Sequence, residues 1–330
     1  MPKLNPQLKL SADAFDVSKL EQVPTRNGFG EGVVSLGAQH EDVVVLCADL
    51  TDSTRAGYFK EKFPERFVQV GIAEQNMAVL AAGMAKEGKV PFISTYGVFC
   101  PGRNWDQVRI SIAYNNTNVK IAGAHTGISV GPDGATHQAM EDIALTRVLP
   151  GMTVLAPCDA IQTKQATEAA YAIDGPVYLR FAREKTPVFT TEETPFEIGK
   201  AQILTEGTDV TVIGCGPLVH EALLAANTLE GELSLEVINL HTIKPFDVES
   251  VVASAKKTGA VVTVEEHQVT GGLGGAVAEV LSEHLPTPMQ RVGMPDSFGE
   301  SGEPAELLVK YGMTAADIIK AVKAVVARKN

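Results

Sequence analysis

The sequence lacks long apolar runs and any excess of positive charge. No apolar segment approaches the roughly 18 residues that a membrane-spanning helix needs, and residues 1–6 lack the apolar core of a secretory signal. The formal net charge of −12 argues against a surface for nucleic acid or for anionic lipid. We therefore expect a cytoplasmic protein with no nucleic-acid partner and no membrane partner.

Cysteine is scarce and scattered. The four cysteines, at Cys47, Cys100, Cys158 and Cys215, form no C-x-x-C pair and have no histidine at metal-ligand spacing. Neither a zinc site nor a disulfide framework is indicated, so we expect reduced thiols that pack in the interior. The glycines between 271 and 275 do not follow the order G-x-G-x-x-G of dinucleotide loops. They are expected to form a tight strand-to-helix turn instead.

What the sequence does contain is a regular alternation of apolar strands and helices over 330 residues, of which 45% are hydrophobic. Strands are predicted at 43–47, 67–70, 91–95, 119–122, 152–155 and 177–180, and again at 210–214, 234–238 and 261–264. Helices are predicted at 29–36, 74–85, 104–114, 159–172, 219–227, 248–256, 275–285 and 315–327. Such alternation predicts an α/β fold in which mostly parallel sheets carry helices on both faces.

A chain of this length is expected to form two domains with separate cores. The predicted division is an N-terminal arm at 1–25, a first domain at 26–187, a polar linker at 188–198 and a second domain at 199–330. Because the arm is polar and contains several prolines, we expect it to lie outside the core.

Glu74 places an acid at the head of an otherwise apolar helix. The next residues, 78–85, have almost no polar face, so the helix is expected to be buried on all sides or to lie in a subunit contact. An unpaired carboxylate there would cost on the order of several kcal/mol. Taken alone, the stretch favours a first-turn acid that complements the helix dipole over a functional carboxylate.

Two further clusters stand where predicted strands end, which is the edge at which open parallel sheets bind ligands. Tyr96 and Phe99 follow one strand and suit either a flat ring or simple packing. His125, Asp133 and His137 belong to a glycine-rich loop. Polar groups in a surface loop are free to serve a ligand, so a functional role is favoured for these three.

Arginines form the third cluster. Arg180 and Arg183 follow the last strand of the first domain, and Arg26 and Ser53 come from loops around its first strand. Arginine forks suit phosphate monoesters, although each of these residues could equally belong to a solvated ion pair.

Together these stretches resemble the pyrimidine-binding domain of transketolase, a thiamine diphosphate enzyme that moves a two-carbon ketol unit. The similarity is carried by residues 71–77, 94–96, 106–109 and 131–138. Residues 264–267 and 298–304 are similar to the C-terminal domain of that family. The resemblance therefore spans nearly the whole chain from about Arg26.

A complete transketolase also has a domain with a G-D-G motif and an Asn ligand, which hold the cofactor diphosphate and a magnesium or calcium ion. This sequence contains neither. The resemblance thus implies the C-terminal subunit of a split transketolase, with the metal held by a separate N-terminal subunit and no metal ligand in this chain. It further implies a self-dimer within an α2β2 heterotetramer that acts on sugar phosphates of the pentose phosphate pathway.

The resemblance assigns roles at the cofactor. Glu74 matches the Glu that hydrogen-bonds N1′ of the aminopyrimidine and favours its imino form, and Tyr96 and Phe99 match the aromatics that pack on that ring. The segment from Cys100 to Arg103 is one residue longer than in the animal enzymes, so the roles of these two residues stay open.

Roles at the substrate follow in the same way. His125 and His137 match histidines that contact the donor's oxygens and assist proton transfer, and Asp133 matches the Asp that reads a donor hydroxyl. The residues that match the grip on the sugar phosphate are Arg26, Ser53 and Arg183.

Two alternatives remain. 1-Deoxyxylulose 5-phosphate synthase shares the Glu, the aromatic loop and the D-G-x-T-H-Q turn, but it takes pyruvate and usually has Arg where Thr126 stands. A non-catalytic partner module with the same fold is the other alternative, since fold does not establish function. The joint presence of Glu74, His125, Asp133 and His137 argues against it.

Overall fold

The computed structural model describes residues 1–329, and Asn330, the last residue of the predicted second domain, lies outside them. The strands are β1 (Gln22–Pro24), β2 (Val43–Cys47), β3 (Phe67–Gln69), β4 (Val90–Tyr96), β5 (Lys120–Ala124), β6 (Thr153–Leu155), β7 (Val177–Arg180), β8 (Lys185–Pro187), β9 (Gln202–Thr205), β10 (Val210–Gly214), β11 (Leu235–Asn239), β12 (Thr242–Lys244), β13 (Val261–Gln268) and β14 (Met289–Met294).

The helices are α1 (Thr25–Gln39), α2 (Ala56–Lys62), α3 (Glu74–Lys86), α4 (Trp105–Gln107), α5 (Asp142–Arg147), α6 (Ala160–Tyr171), α7 (Leu218–Leu229), α8 (Val248–Thr258), α9 (Leu273–His284), α10 (Pro304–Lys310) and α11 (Ala315–Val326). Within residues 1–329, no helix combines the length and the apolarity that crossing a bilayer requires.

The first large sheet has seven strands in the order β12-β6-β7-β5-β4-β2-β3, all parallel except β12. Its inner strands are buried on both faces, as the continuous apolar run of β2 shows. On β4, Ile93 packs in one apolar cluster with α3, and Phe92 packs in another with α1 and α6. The predicted helix-covered parallel sheet is confirmed.

The second large sheet has the order β14-β13-β10-β11-β9, parallel except for β9 at one edge. Helices α8 and α9 cover one face, and α7 and α11 cover the other. The α/β fold with helices on both faces is therefore confirmed for this sheet as well. Each sheet also has one antiparallel edge strand, β9 or β12, that the sequence did not predict, because both are short and mix polar with apolar residues.

The two sheets are joined by more than the linker. β12 follows β11 in the chain, yet it pairs with β6 of the first sheet, so the second half of the chain contributes an edge strand to the first half. Residues from both sheets also share one apolar cluster. The two halves of the chain are therefore packed against each other through this strand and this cluster.

The N-terminal arm is not outside the core. Leu8, Ala14 and Leu20 are buried in the apolar cluster of the second sheet. The backbone follows them, since Asn5 N donates to Leu204 O at 2.9 Å. The expectation of a solvated arm was wrong because its few aliphatic residues are spaced so that each reaches the same apolar surface.

The cysteines and the glycine turn have the predicted structure, and the helix predicted at 104–114 does not. All four cysteines are buried and free, which confirms packed thiols. The glycine turn before α9 is also confirmed, because the amides of Leu273 and Gly274 each donate to Glu265 at 2.7 Å and begin a helix there. The predicted helix at 104–114 is instead one α-helical turn, α4, followed by a π-type turn at Val108–Tyr114.

Helix α3 is not buried on all sides. Ile72 precedes it with 74% of its surface exposed, and Val79 on its outer face is 48% exposed. The opposite face packs Met77, Ala78 and Ala81 into the core. Of the two expectations for this helix, full burial within the chain is therefore wrong, and the subunit contact stays a prediction.

Candidate active site

Glu74 is the first residue of α3, and only 1% of its surface is exposed. Its Oε2 accepts a hydrogen bond from Arg103 Nη1 at 2.9 Å. Asn104, which is fully buried, fixes the backbone beside it by donating from Nδ2 to Glu74 O at 3.0 Å. The carboxylate is therefore held at a set place and has one charged partner, which the sequence left without a role.

The aromatic residues lie directly beside this carboxylate region. Tyr96 ends β4 and Phe99 follows it, and their rings lie 5.9 Å apart and 13° from parallel. The guanidinium carbon of Arg103 lies 4.5 Å from the centre of the Phe99 ring. The His125 ring stacks on Tyr96 at 3.9 Å, and His137 meets Phe99 edge-on at 5.6 Å. The structure thus brings both predicted aromatics and both predicted histidines together.

His125 follows β5 with a left-handed backbone, φ 54°, which is uncommon for a residue with a side chain. Its Nε2 lies 3.3 Å from Arg26 Nη1, and since the guanidinium can only donate, Nε2 is the acceptor. Burial, reinforced by Arg26 and Arg183, lowers the pKa of His125 to about 2. The ring is therefore neutral with its proton on Nδ1, and that buried nitrogen has no partner among the described residues.

The glycine-rich loop carries His137 and Asp133. Its backbone turns at Gly127, Gly131 and Gly134, each with positive φ. His137 is partly exposed, and its Nδ1 lies 2.8 Å from Thr136 Oγ1.

The loop is backed by the C-terminal half of the chain. A Cβ at Gly131 would lie 2.9 Å from Pro304, at the start of α10. Gln138 Nε2 donates to Glu300 O at 2.9 Å. The second domain therefore limits where the loop and its histidine can lie.

An arginine cluster stands next to the histidines. Arg26 Nη1 donates to the backbone oxygen of Ser53 at 2.9 Å, and Arg183 Nη1 donates to Val130 O at 2.8 Å. Burial lowers the pKa of Arg26, and the positive charges of Arg55 and Arg183 lower it further. Cations that repel one another in an acidic protein form a local site for an anion.

Arg55 belongs to this cluster, and sequence reasoning missed it. It has φ 67°, and its Nε donates to Asn27 Oδ1 at 2.9 Å, which aims it toward Arg26. The available signal was its position two residues after Ser53, in the loop that follows β2.

Arg180 does not belong to the cluster. It lies within β7, where its Nε donates to Asp142 Oδ2 at 2.9 Å and its Nη2 donates to Glu266 O at 2.6 Å. Only 3% of its side chain is exposed. Of the two alternatives for Arg180, a phosphate contact and a solvated ion pair, the structure shows an ion pair that is buried and not solvated, because the last residue of this buried strand points between the layers and not into the edge loops.

Across residues 1–329, no group of three or more His, Cys, Asp or Glu side chains is placed to hold a metal ion. The residues described above offer a buried carboxylate, aromatic faces, two histidines and a cationic cluster, which come from loops and from the ends of strands and helices at one edge of the first sheet. This arrangement can accept a flat nitrogen heterocycle next to an anionic, hydroxylated substrate.

Two family models match the chain. The transketolase pyrimidine-binding domain matches residues 21–188, and the transketolase C-terminal domain matches residues 199–318. The chain is 44% identical to a 6-deoxy-6-sulfo-D-fructose transketolase subunit of Clostridium sp. (strain MSTE9), over 96% of this chain and 98% of that protein.

Two further proteins are similar over nearly their whole length. An apulose-4-phosphate transketolase subunit of Phocaeicola vulgatus is 37% identical, over 90% of this chain and 96% of that protein. A solved structure described as a split gene transketolase, inactive beta4 tetramer, is 48% identical. It superposes with a TM-score of 0.88 over 93% of this chain and all of the other.

Proposed function

The chain belongs to the transketolase family, whose pyrimidine-binding and C-terminal domains it contains, and from this premise we propose that it is the C-terminal subunit of a split transketolase. Membership of the family implies the use of thiamine diphosphate. In the proposed reaction, a two-carbon ketol unit passes from a ketose phosphate to an aldose phosphate.

The observation that carries the proposal is the buried carboxylate of Glu74 beside the stacked rings of Tyr96 and Phe99. An aminopyrimidine needs an aromatic face to pack on and a carboxylate to share a proton with its ring nitrogen. Asn104, which donates to the backbone oxygen of Glu74, also has a buried Oδ1 with no partner among the described residues, and so offers a further acceptor next to Glu74. These residues fit the pyrimidine half of thiamine diphosphate.

When bound, the cofactor supplies the nucleophilic carbon that takes up the ketol unit. In our proposal, Glu74 holds a proton at N1′ of the pyrimidine, and burial keeps water from competing for it. Tyr96 and Phe99 orient the ring. Each of these roles needs a fixed side chain, which the start of α3 and the end of β4 provide.

We propose that the remaining candidates bind the sugar. His125 donates from its unpaired Nδ1 to an oxygen of the donor, and His137, at the open side of the rings, moves a proton on a donor hydroxyl. Asp133 accepts from another donor hydroxyl.

The phosphate of the sugar is assigned to the arginine cluster. Arg26 and Arg183, with the hydroxyl of Ser53 and with Arg55, place several N–H donors around one anion. The similar proteins differ in the sugar that their names give, one with a sulfonate and one with a phosphate. Both groups are anionic, so the cluster supports an anionic end on the substrate, and the proposal takes a phosphate.

The partner in this proposal is an N-terminal transketolase subunit that holds the diphosphate through Mg²⁺ or Ca²⁺. The exposed apolar side chains of Ile72 and Val79 beside the candidate site support a subunit contact there. We propose an α2β2 assembly in the cytoplasm, in which two copies of this chain also contact each other. A beta4 tetramer in the split-gene relative supports self-association of such chains.

The test is ketol transfer from xylulose 5-phosphate to ribose 5-phosphate with thiamine diphosphate and magnesium. The full chain is assayed alone and with its candidate diphosphate-domain partner. Activity only in the mixture is the expected result. Turnover of pyruvate in place of the ketose would move the assignment to a deoxyxylulose phosphate synthase, and no activity with either donor would leave a non-catalytic module.

A further inference from the structure

Arg103 makes two contacts that converge on the proposed pyrimidine position. Its Nη1 donates to Glu74 Oε2 at 2.9 Å, and its guanidinium carbon lies 4.5 Å from the centre of the Phe99 ring. A guanidinium is flat, carries N–H donors in its plane and stacks on aromatic faces. Arg103 therefore presents to Glu74 and Phe99 the same combination of features as an aminopyrimidine.

We propose that Arg103 takes the place of the pyrimidine ring in the chain without cofactor and is displaced when thiamine diphosphate binds. The inference rests on the proposed function, because it assigns Glu74 and Phe99 to the cofactor. In this arrangement Arg103 competes with the pyrimidine for the carboxylate.

The burial of Glu74 explains why such a substitute is needed. The side chain of Glu74 is 2% exposed, and an ionised carboxylate in that environment is strongly destabilising unless a cation or a donor pairs with it. While the pyrimidine is absent, Arg103 supplies that pairing. With the pyrimidine bound, Glu74 would take up one proton from solvent and share it with the ring nitrogen, so the buried carboxylate would keep a partner in both states.

The position of Arg103 makes its displacement feasible. Its side chain is 43% exposed, so the guanidinium can turn into water and keep its charge solvated. The backbone around it does not need to move, since the neighbouring Asn104 is fully buried and holds both Glu74 O and Cys100 Sγ, the latter at 3.3 Å. The predicted change is a rotation of one side chain.

The first test measures the dissociation constant of thiamine diphosphate by titration calorimetry. It uses the complex of the full chain with its diphosphate-domain partner, in Mg²⁺. Removing a competitor tightens binding, so Arg103→Ala is expected to lower Kd by about 5- to 10-fold, the size of a half-exposed ion pair plus a cation–π contact. Arg103→Lys, which keeps the charge but loses the flat fork, should lower Kd by a smaller factor. Arg328→Ala, the same change at an exposed site on the far end of the chain, should leave Kd unchanged.

A second measurement needs no cofactor. In the full chain alone, Arg103→Ala should lower the thermal unfolding midpoint, and adding Glu74→Gln should restore it, because the carboxylate that lost its partner is then gone. An unchanged or larger Kd in Arg103→Ala, or an unchanged midpoint, would overturn the role of Arg103. If the wild-type complex fails to bind thiamine diphosphate at all, the proposed function itself is wrong.

Discussion

Two arginine–carboxylate pairs in this chain have the same N–O distance and opposite surroundings. Arg103–Glu74 and Arg180–Asp142 each join an arginine nitrogen to a carboxylate oxygen at 2.9 Å. Arg180 is 3% exposed and its other nitrogen binds Glu266 O in the second domain, while Tyr178 donates to the same Asp142 oxygen at 2.8 Å. Arg103 is 43% exposed, and no second acceptor holds it among the described residues.

The difference in exposure separates two kinds of ion pair. The Arg180–Asp142 pair joins packed layers of the fold, whereas in the Arg103–Glu74 pair a ligand can replace the arginine. Around Asp142 the donors come from β7, so opening the pair would leave a buried arginine without the carboxylate that it hydrogen-bonds. Around Glu74, the arginine can leave for water and a ligand can take its position. A buried carboxylate is therefore a candidate for function when its partner has a route to solvent, and distance alone does not distinguish the two cases.

The largest expected effect is a loss of ketol-transfer activity when the Arg103–Glu74 pair is changed. Glu74→Gln removes the carboxylate that would share a proton with the pyrimidine, so ketol transfer by the assembled enzyme should fall by about 10^4-fold. Stability should change by less than about 1 kcal/mol, because Arg103 is free to turn into water. Steady-state turnover and a urea unfolding curve on the same variant provide both values. Wild-type turnover in Glu74→Gln would remove the catalytic assignment.

The matched change at the other pair should act on stability. Asp142→Asn leaves the charge of Arg180 buried and unpaired, so the free energy of unfolding should fall by about 3–5 kcal/mol. Trp105, the single tryptophan, reports unfolding of the first domain by fluorescence. The double variant with Arg180→Met should recover part of the loss. If Asp142→Asn is as stable as Glu74→Gln, the contrast between the two pairs is wrong.

The sequence predicted much of this arrangement and missed the part that depends on distant contacts. The buried strands β2 and β7 were placed with their observed bounds, because apolar runs of four or five residues between turns are a local signal. Apart from Arg26, which lies in α1, the predicted site residues lie at or after the ends of neighbouring parallel strands, whose carboxyl ends meet at one edge of the sheet.

The environment of Arg180 could not be predicted from neighbouring residues in the sequence. In the sequence Arg180 is three residues from Arg183, and both follow a strand, so each was a candidate for a phosphate contact or for a solvated ion pair. Its partners lie 38 and 86 residues away, and no local pattern indicates them. The role of Arg103 was left open because its segment is one residue longer than in the animal enzymes, and its partner Glu74, 29 residues earlier, has no local signal either.

The histidine at the open side of the rings extends the comparison to a side chain outside the arginine–carboxylate pairs. His137 is partly exposed, and among the described residues its Nδ1 is paired with the exposed Thr136, so the sugar can reach it from solvent. His137→Ala should lower kcat by about 10^2- to 10^3-fold, the range for a lost transition-state contact, with Kd for thiamine diphosphate unchanged. Thr136→Ala, which removes only its neighbour, should cost much less. Full activity in His137→Ala would exclude it from proton transfer.

The smallest expected effect on the reaction is at Arg183. Its exposure is intermediate between that of Arg180 and that of Arg103. It is 30% exposed and binds a backbone oxygen, Val130 O, as well as Asp133 at 3.5 Å. Arg183→Ala should raise KM for phosphorylated donors by about 10- to 100-fold, the size of one or two charge-assisted hydrogen bonds. Comparing KM for donors with and without the phosphate distinguishes a direct phosphate contact of Arg183 from a role in holding the loop. A disturbed loop would weaken both donors equally, whereas a lost phosphate contact weakens only the phosphorylated one.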